Sequence, residues 1–361
     1  MFERRLSTHL DVSLLVAVLA LVAIGIGMIY SATGGASREY WTQIYAVVIG
    51  LGALAVCLAV DYRSLVDKAH WLYLALALAL LAVLLFGAVR GGSRRWLDLG
   101  TFNLQPSEFA KAGLALILAK LLGDARRVEL SMQDLLLAAA LTAGPLVLIA
   151  RQPDLGTAVT LLPVLGAAVF AAGLPLRYLG IGALIAIVSA PVAWVFALED
   201  YQKSRIVTFL DPEQDARGAG YQQIQARITV GSGGVLGKGF MGGTQGQLRF
   251  LPVAHNDFIF SVLAEEQGFV GVIVALGLYF FVIIRSLDAA RLSKDRMGAY
   301  LVLGVLASFT FQVIYNITMS AGLAPVKGLT LPLLSYGGSS MIATLAGFGL
   351  ILNVRMRRFT N

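Results

Sequence analysis

Cysteine is almost missing from this chain: its 361 residues hold one, Cys57, inside an apolar run. That excludes an intrachain disulfide and a cysteine-built metal centre. Charge is scarce as well. Asp, Glu, Lys and Arg make up 14% of the residues, against about 25% in an ordinary soluble domain. No internal repeat or low-complexity tract stands out, so neither a fibrous array nor an inverted-repeat transporter is suggested. What the chain has in abundance is apolar surface, with 58% hydrophobic residues and a mean hydropathy of +0.78. Most of it cannot face water, which rules out a disordered tail and a conventional cytosolic enzyme. A net charge of +7 would point a soluble protein toward nucleic acid. In a membrane protein the placement of each Lys and Arg outweighs their sum, and no nucleic-acid partner is expected.

Crossing a bilayer as a helix takes about 20 mostly apolar residues, because a helix satisfies its own backbone polar groups in lipid. Ten stretches qualify: 12–31, 42–60, 70–89, 107–122, 134–150, 155–173, 176–198, 258–284, 298–320 and 333–353. They are continuous rather than alternating, which excludes an outer-membrane barrel. The expected fold is an all-α polytopic membrane protein of ten transmembrane helices. A single integral-membrane domain spans 1–361, with a long extracytoplasmic loop, 199–257, between helices 7 and 8. Arg4 and Arg5 before the first run and Ser31-Ala32-Thr33 after it mimic a cleavable signal. An apolar run of about 20 exceeds the roughly 7–15 of a signal core, so a retained first helix is expected.

Counting Lys and Arg over alternate loops sets the orientation. One side holds fourteen: Arg4, Arg5, Arg63, Lys68, Arg126, Arg127, Arg177, Arg285, Arg291, Lys294, Arg296, Arg355, Arg357 and Arg358. The opposite short loops hold six: Arg38, Arg90, Arg94, Arg95, Arg151 and Lys327. Both termini are therefore expected in the cytoplasm, with 199–257 outside.

Polar residues that persist near membrane depth are functional candidates, and here they cluster on the outer side. Arg90 to Trp96 leads through Gln105-Pro106-Ser107-Glu108 into the fourth helix. Pro106 suits the first helical position and Glu108 the first turn, with Lys111 three residues on. That pair reads equally as a functional site and as a salt bridge stabilising the helix start. Asp154, opening the sixth helix, reads most economically as a cap. Arg151, against the charge rule, could join Arg90, Arg94, Arg95 and Lys327 in a cationic shelf for a phosphate-bearing lipid head group, although scattered loop charges would give the same count.

The glycine-rich part of the long loop, Gly231 to Gly243, fits G-x-G-x-x-G at Gly237, Gly239 and Gly242. No strand precedes it and no Ser or Thr follows Lys238, so a nucleotide site is refused. Glycines interleaved with large apolar residues suggest a segment lying on or dipping into the membrane surface. The loop ends at His255-Asn256-Asp257, where the eighth helix begins. Burial raises the pKa of Asp257 and the helix amino end lowers it, and a carboxylate poised near neutrality could serve as a general base. A cap is the alternative, which Asn256 could equally supply. His255 reads as a hydrogen-bonding neighbour rather than a metal ligand. Gln312, Tyr315 and Asn316 share a face of the ninth helix, as interhelical hydrogen-bonding groups do. Gly322 to Ser340, with Pro325 and Pro332, is irregular backbone near membrane depth, tolerated only when buried or lining a cavity.

Four blocks in order, Arg95-Trp96 with Gln105-Pro106-Ser107-Glu108 and Lys111, Gln152 to Thr157, His255-x-Asp257-Phe258, and Leu331-Pro332 through Ser335-Tyr336 to Ser340, resemble the signature of the SEDS proteins of bacteria (shape, elongation, division and sporulation) over essentially the full chain. Gly243-Thr244-Gln245 with Leu251-Pro252, and Asn353-Val354-Arg355, look most like the elongation member. Lys327-Gly328-Leu329-Thr330 looks more like the division member. At 256 the family usually carries Thr where this chain has Asn. The resemblance implies a peptidoglycan glycosyltransferase of the bacterial cytoplasmic membrane that polymerises lipid II, with the catalytic aspartate falling on Asp257. Undecaprenyl pyrophosphate would leave against outer-side cations such as Arg94, Arg95, Arg151 or Lys327. The substrate-binding set expected around it adds Glu108, Lys111, Asp154, His255, Ser335 and Tyr336. Expected partners are lipid II and undecaprenyl-pyrophosphate-linked glycan, a class B penicillin-binding protein transpeptidase, other elongation-complex membrane proteins and membrane lipids. No cofactor or metal site is indicated, and a divalent cation bridging pyrophosphate and carboxylate would leave no trace in sequence. A lipid II flippase or transporter, or a non-catalytic scaffold, is the alternative.

Overall fold

The computed structural model describes residues 9–90, 93–98, 103–124, 130–196, 200–215, 218–244, 251 and 254–359. Arg4, Arg5, Arg126 and Arg127 of the charge count, and Gln245 and Pro252 of the last loop block, lie outside the described residues, as does the side chain of Arg90.

The chain folds as a helical bundle: α1 (Val12–Ala32), α2 (Arg38–Ala59), short α3 (Tyr62–Asp67), α4 (Ala69–Phe86), α5 (Pro106–Gly123), α6 (Met132–Ala150), α7 (Leu155–Val159), α8 (Leu161–Ala171), α9 (Leu176–Phe196), α10 (Asp200–Leu210), α11 (Ala219–Ser232), α12 (Ile259–Arg291), α13 (Arg296–Ser320) and α14 (Gly338–Met356). Among the described residues seven of these are long and apolar enough to cross a membrane, namely α1, α2, α4, α6, α12, α13 and α14. Of the other expected spans, α5 is interrupted by Glu108, Lys111 and Lys120, and α9 is continuous over 21 residues. The stretch 155–173 is two helices separated at Thr160, because Pro163 has no N–H to offer the Val159 carbonyl. Large apolar side chains face outward, Phe86 at 81% exposure and Ile187 at 69%. Such a surface fits an integral membrane protein, since lipid tails solvate it where water would not.

Helix α14 runs through the middle, against α2. A Cβ on Gly349 would meet Cys57 Cβ at 2.7 Å and the Leu54 carbonyl at 2.8 Å, so the two backbones approach as only a glycine permits. Helix α13 packs on α5 and α8, and α12 on α1 and α13. At one end of the bundle, Asp11 ahead of α1 accepts from Arg285 of α12 at 3.0 Å and pairs with Arg355 of α14 at 2.6 Å. Arg63 and Asp295 (3.0 Å) and Arg357 and Asp61 (3.2 Å) join the same end. The arginine-rich sides of the charge count thus meet on one face.

Two features depart from the expected architecture. After α4 the chain forms a three-stranded antiparallel sheet in the order β1 (Ala88–Arg90), β2 (Ser93–Asp98) and β3 (Asn103–Leu104), so the protein is mostly rather than wholly helical. Gly87 caps α4 in extended conformation and starts the hairpin before the apolar run ends. The described residues between 200 and 244 are also structured, with α11 packed along α12. The glycine-rich part does not lie free. Helix α12 breaks at Gly268 (φ 63°), and the freed backbone is bonded by this loop: Lys238 N–H donates to Glu265 O (3.0 Å), Gly239 N–H to Glu266 O (3.0 Å) and Phe269 N–H to Gly234 O (2.9 Å). Glu265 and Glu266, buried at the break, accept from Lys238 Nζ (2.7 Å) and Thr244 N–H (3.0 Å), and from the Ser31 hydroxyl and Met241 N–H respectively. The glycines serve close backbone approach: a Cβ on Gly233 or Gly237 would fall within 2.2 Å of a carbonyl oxygen of α12.

Candidate active site

At the end of the bundle away from the arginine clamps lies a cavity of about 500 Å³ lined by Arg95, Trp96, Gln105, Glu108, Asp154, Asp257 and Tyr336, with residues of α2 and of the α14 start. Four long helices, α2, α5, α12 and α14, begin at its wall, through Arg38, Gln105, Asp257 and Gly338. The positive ends of four helix dipoles therefore converge here, an arrangement suited to an anion.

Side-chain staples hold these ends together. Asn316 of α13 donates from Nδ2 to both Asp257 O (2.8 Å) and Leu329 O (2.7 Å). Gln43 of α2 donates to Ser335 O (3.3 Å) and accepts from Gly337 N–H (3.1 Å). Ser339 Oγ accepts from Gln105 N–H (2.9 Å) and donates to Asn103 O (3.1 Å), tying α14 to the start of α5. Of the stretch Gly322 to Ser340 expected to be irregular, 322–337 is non-helical and buried at Leu329 and over 331–335, and 333–337 does not extend the last helix. Ser335 Oγ accepts from Leu331 N–H (2.8 Å), closing a turn in which Leu333 takes φ 71°.

Asp257 sits deep in the wall and keeps one face on the cavity. Among the described residues no cation lies within 4 Å of its carboxylate. Of the two opposing influences on its pKa, burial wins: desolvation raises it to about 6, against the attraction of Arg205 and Arg95. Burial lowers the pKa of the neighbouring His255, against the attraction of Glu39, and its ring meets Tyr336 edge-on at 5.5 Å between centroids. Tyr336 N–H donates to His255 O (2.9 Å).

The structure separates the expected site residues. Arg95, Glu108, Asp154, Asp257 and Tyr336 line the cavity. Arg95 donates to Pro153 O (2.5 Å) and pairs with Asp154 at 3.6 Å, while Asp154 also caps α7 by accepting from Thr157 N–H (3.2 Å) and accepts from Gln105 Nε2 (3.3 Å). Its two sequence readings, cap and site residue, are therefore met by one carboxylate. Arg94 is exposed and outside the lining, because successive strand residues point to opposite faces. Arg151, exposed at the end of α6, is likewise outside it. Lys111 pairs with Glu108 at 2.7 Å and donates to Gln312 Oε1 (2.8 Å), just below the cavity. His255, Ser335 and Lys327 stand behind or beside the lining rather than in it. Glu39 and Asn103, which line the cavity, and Arg205, whose charge reaches Asp257, carry no signal that the sequence reading used. Arg205 belongs to α10, whose alternation of Lys203 and Arg205 with Ile206, Val207 and Leu210 is the helical signal that a loop reading passed over. No cluster of three or more His, Cys, Asp or Glu side chains placed to hold a metal occurs among the described residues.

The family model for FtsW, RodA and SpoVE, described as cell cycle protein, matches residues 12–359. A peptidoglycan glycosyltransferase MrdB from Escherichia coli K12 is 40% identical over 352 residues, covering 97% of this chain and 94% of that one. A chain in a solved structure described as "Structural coordination of polymerization and crosslinking by a peptidoglycan synthase complex" superposes with a TM-score of 0.86 at 36% identity, over 98% of this chain and 99% of that one. The rod shape determining protein RodA of Thermus thermophilus gives 0.74 at 33% identity, over 98% of each.

Proposed function

The chain belongs to the FtsW, RodA and SpoVE family of cell cycle proteins, the SEDS family, and from that premise we propose that it is a peptidoglycan glycosyltransferase of the elongation type, polymerising lipid II at the outer face of the cytoplasmic membrane. The observation that carries the reading is the state of Asp257: a carboxylate with no cation within 4 Å among the described residues, opening on a polar cavity at the convergence of four helix amino ends, with its pKa pushed up to about 6.

A group with that pKa is mostly ionised at neutral pH and still basic enough to accept a proton in a transition state. Asp257 takes the proton of an acceptor sugar hydroxyl. The freed oxygen bonds to the donor's anomeric carbon as the carbon–oxygen bond to the lipid pyrophosphate breaks, and the pyrophosphate departs with the electron pair. Displacement from the rear inverts an α-linked pyrophosphate into a β-linked glycan. No second carboxylate is required, because the leaving group is already a weak base and the helix amino ends and nearby cations take up its charge. The arginine-clamped face, with Asp11 ahead of α1 and Arg357 after α14, then lies on the cytoplasmic side. The outward apolar belts leave room for a single-span transpeptidase partner of the class B penicillin-binding type. Purified protein given labelled lipid II should form polymer, and Asp257→Ala should not. Full polymerisation by that variant removes the base from the mechanism, and transfer of lipid II between leaflets of proteoliposomes without polymer would replace the enzyme by a transporter.

A further inference from the structure

Helix α1 has 21 residues and is therefore about 31 Å long, the thickness of a hydrocarbon core of about 30 Å. Its ends mark the two lipid boundaries, Asp11 at one and Ser31 near the other. Ser31 donates to Glu266, so α12 meets that second boundary just before it breaks at Gly268. Past the break, Phe269, Val270, Ile273 and Val274 form an exposed apolar stripe on one face of α12. The glycine-rich loop is laid against the top of this stripe. Its Gly234 carbonyl accepts from Phe269 N–H (2.9 Å) and its Val235 carbonyl from Val270 N–H (3.2 Å). Val235 (66% exposed) and Leu236 (80%) extend the stripe at the depth of Val270, about one helical turn inside Glu266. On the α1 side, half-exposed Phe240 stacks on Tyr30 at 6.5 Å between centroids, with its ring over Gly27, and Tyr30 meets Tyr40 edge-on at 5.3 Å. A row of aromatic rings at this height is what a membrane–water boundary collects.

We propose that 233–241 is a re-entrant segment whose tip, Val235, Leu236 and Phe240, sits among the acyl chains of the leaflet on the Asp257 side and anchors there the half-helix 259–267. Two features select lipid as the occupant of this apolar surface. The tip continues the outward apolar face of α12, which lipid already covers in an integral membrane protein. Its backbone is also bonded as hydrocarbon demands: the N–H groups of Gly237, Lys238 and Gly239 donate to Gly233, Glu265 and Glu266 carbonyls, and the Gly234 and Val235 carbonyls accept from α12. Irregular backbone enters lipid only when its polar groups are satisfied from within the protein. A loop standing in water has no such need, since water bonds its amides equally well. The anchoring follows from the same bonds. At the break the carbonyls of Glu265 and Glu266 end on the loop, so the half-helix that starts next to Asp257 is held at its far end by a lipid-seated segment. The assignment is independent of what the cavity catalyses.

The test uses the full chain in nanodiscs of phosphatidylcholine and phosphatidylglycerol, with Cys57→Ala removing the one native cysteine. Val235→Cys or Leu236→Cys then carries an environment-sensitive fluorophore. Glu213→Cys, exposed in the polar turn after α10, is the water reference, and Ile273→Cys, on the outward face of α12, the lipid reference. Labels at 235 and 236 should emit as far to the blue as the label at 273. They should lose more fluorescence to a nitroxide on the acyl chain near its ester than to aqueous iodide, and the label at 213 should do the reverse. A label at 236 that iodide quenches as readily as the one at 213 overturns the insertion. Protection from both quenchers would place protein against the tip and overturn lipid as its occupant. Leu236→Asp, at an exposed position that the fold does not depend on, should draw the tip toward water. The label at 235 should then shift to the red, and amide hydrogen exchange over 259–267 should quicken while that of α13 stays as it was. Unchanged exchange over 259–267 with the tip withdrawn overturns the anchoring.

Discussion

Replacing Asp257 by Asn removes the titrating group while keeping its volume, and its consequences run in opposite directions for stability and activity. In the folded protein the carboxyl holds its proton to about pH 6, against 3.8 in the unfolded chain. At 1.36 kcal/mol per unit the gap corresponds to about 3 kcal/mol, an upper bound because the group keeps one face on the cavity. The folded state binds the proton more tightly, so unfolding releases it between pH 4 and 6 and stability falls as pH rises through that window. Above pH 6 the full cost of burying the charge is present. Asp257→Asn should therefore melt higher than the parent at pH 8, by roughly 5 °C or less for a chain of this size, with the difference vanishing near pH 4. Polymerisation should fall by about 10² to 10⁴, the usual worth of a general base. The parent's rate should rise about tenfold per pH unit below 6 and level off above 7. Thermal melts in detergent and lipid II polymerisation from pH 4.5 to 8, on matched preparations, give both readouts. A variant that melts below the parent at pH 8, or a parent profile flat from pH 5 to 8, would refute the placement of this carboxyl.

Lys111→Ala leaves Glu108 buried without its cation and should cost about 3–5 kcal/mol, whereas the double replacement Glu108→Leu with Lys111→Leu should cost less; equal melting temperatures for the two would count against a buried ion pair. Lys238→Ala should destabilise by about 2 kcal/mol, because Glu265 is fully buried and loses its charged donor while Lys238 is partly exposed; proteolysis within 233–244 should quicken, and an unchanged cleavage rate would separate the loop from the helix break. Gly25→Ala would set a Cβ 2.6 Å from Leu333 O and 2.7 Å from Leu334 Cα, so a loss of about 1–3 kcal/mol from overpacking is expected, with folded yield on size-exclusion chromatography as the measure.

Sequence by itself determined where the chain meets lipid, which ends of the helices gather on the arginine-rich face, and that Asp257 opens a helix on the other. Those are local properties: the free energy of placing a side chain in hydrocarbon depends on the residues in its own run, and a helix start is marked by its own few residues. The stretch 155–173 reads in sequence as one continuous span, and its division at Thr160 comes only with the structure. So does the set of polar groups that share the cavity. Arg94 and Arg95 are alike in composition and spacing, and only the pairing of Ser93–Asp98 into a sheet turns Arg95 inward and Arg94 out. Arg205 reaches the Val326 carbonyl on a strap that α13 fixes, and the glycines of 233–243 gain their meaning from Gly268, some thirty residues later. The convergence of four helix amino ends is likewise decided by packing at long range, since burial, charge pairing and the pKa of Asp257 depend on what lies across a gap rather than along the backbone.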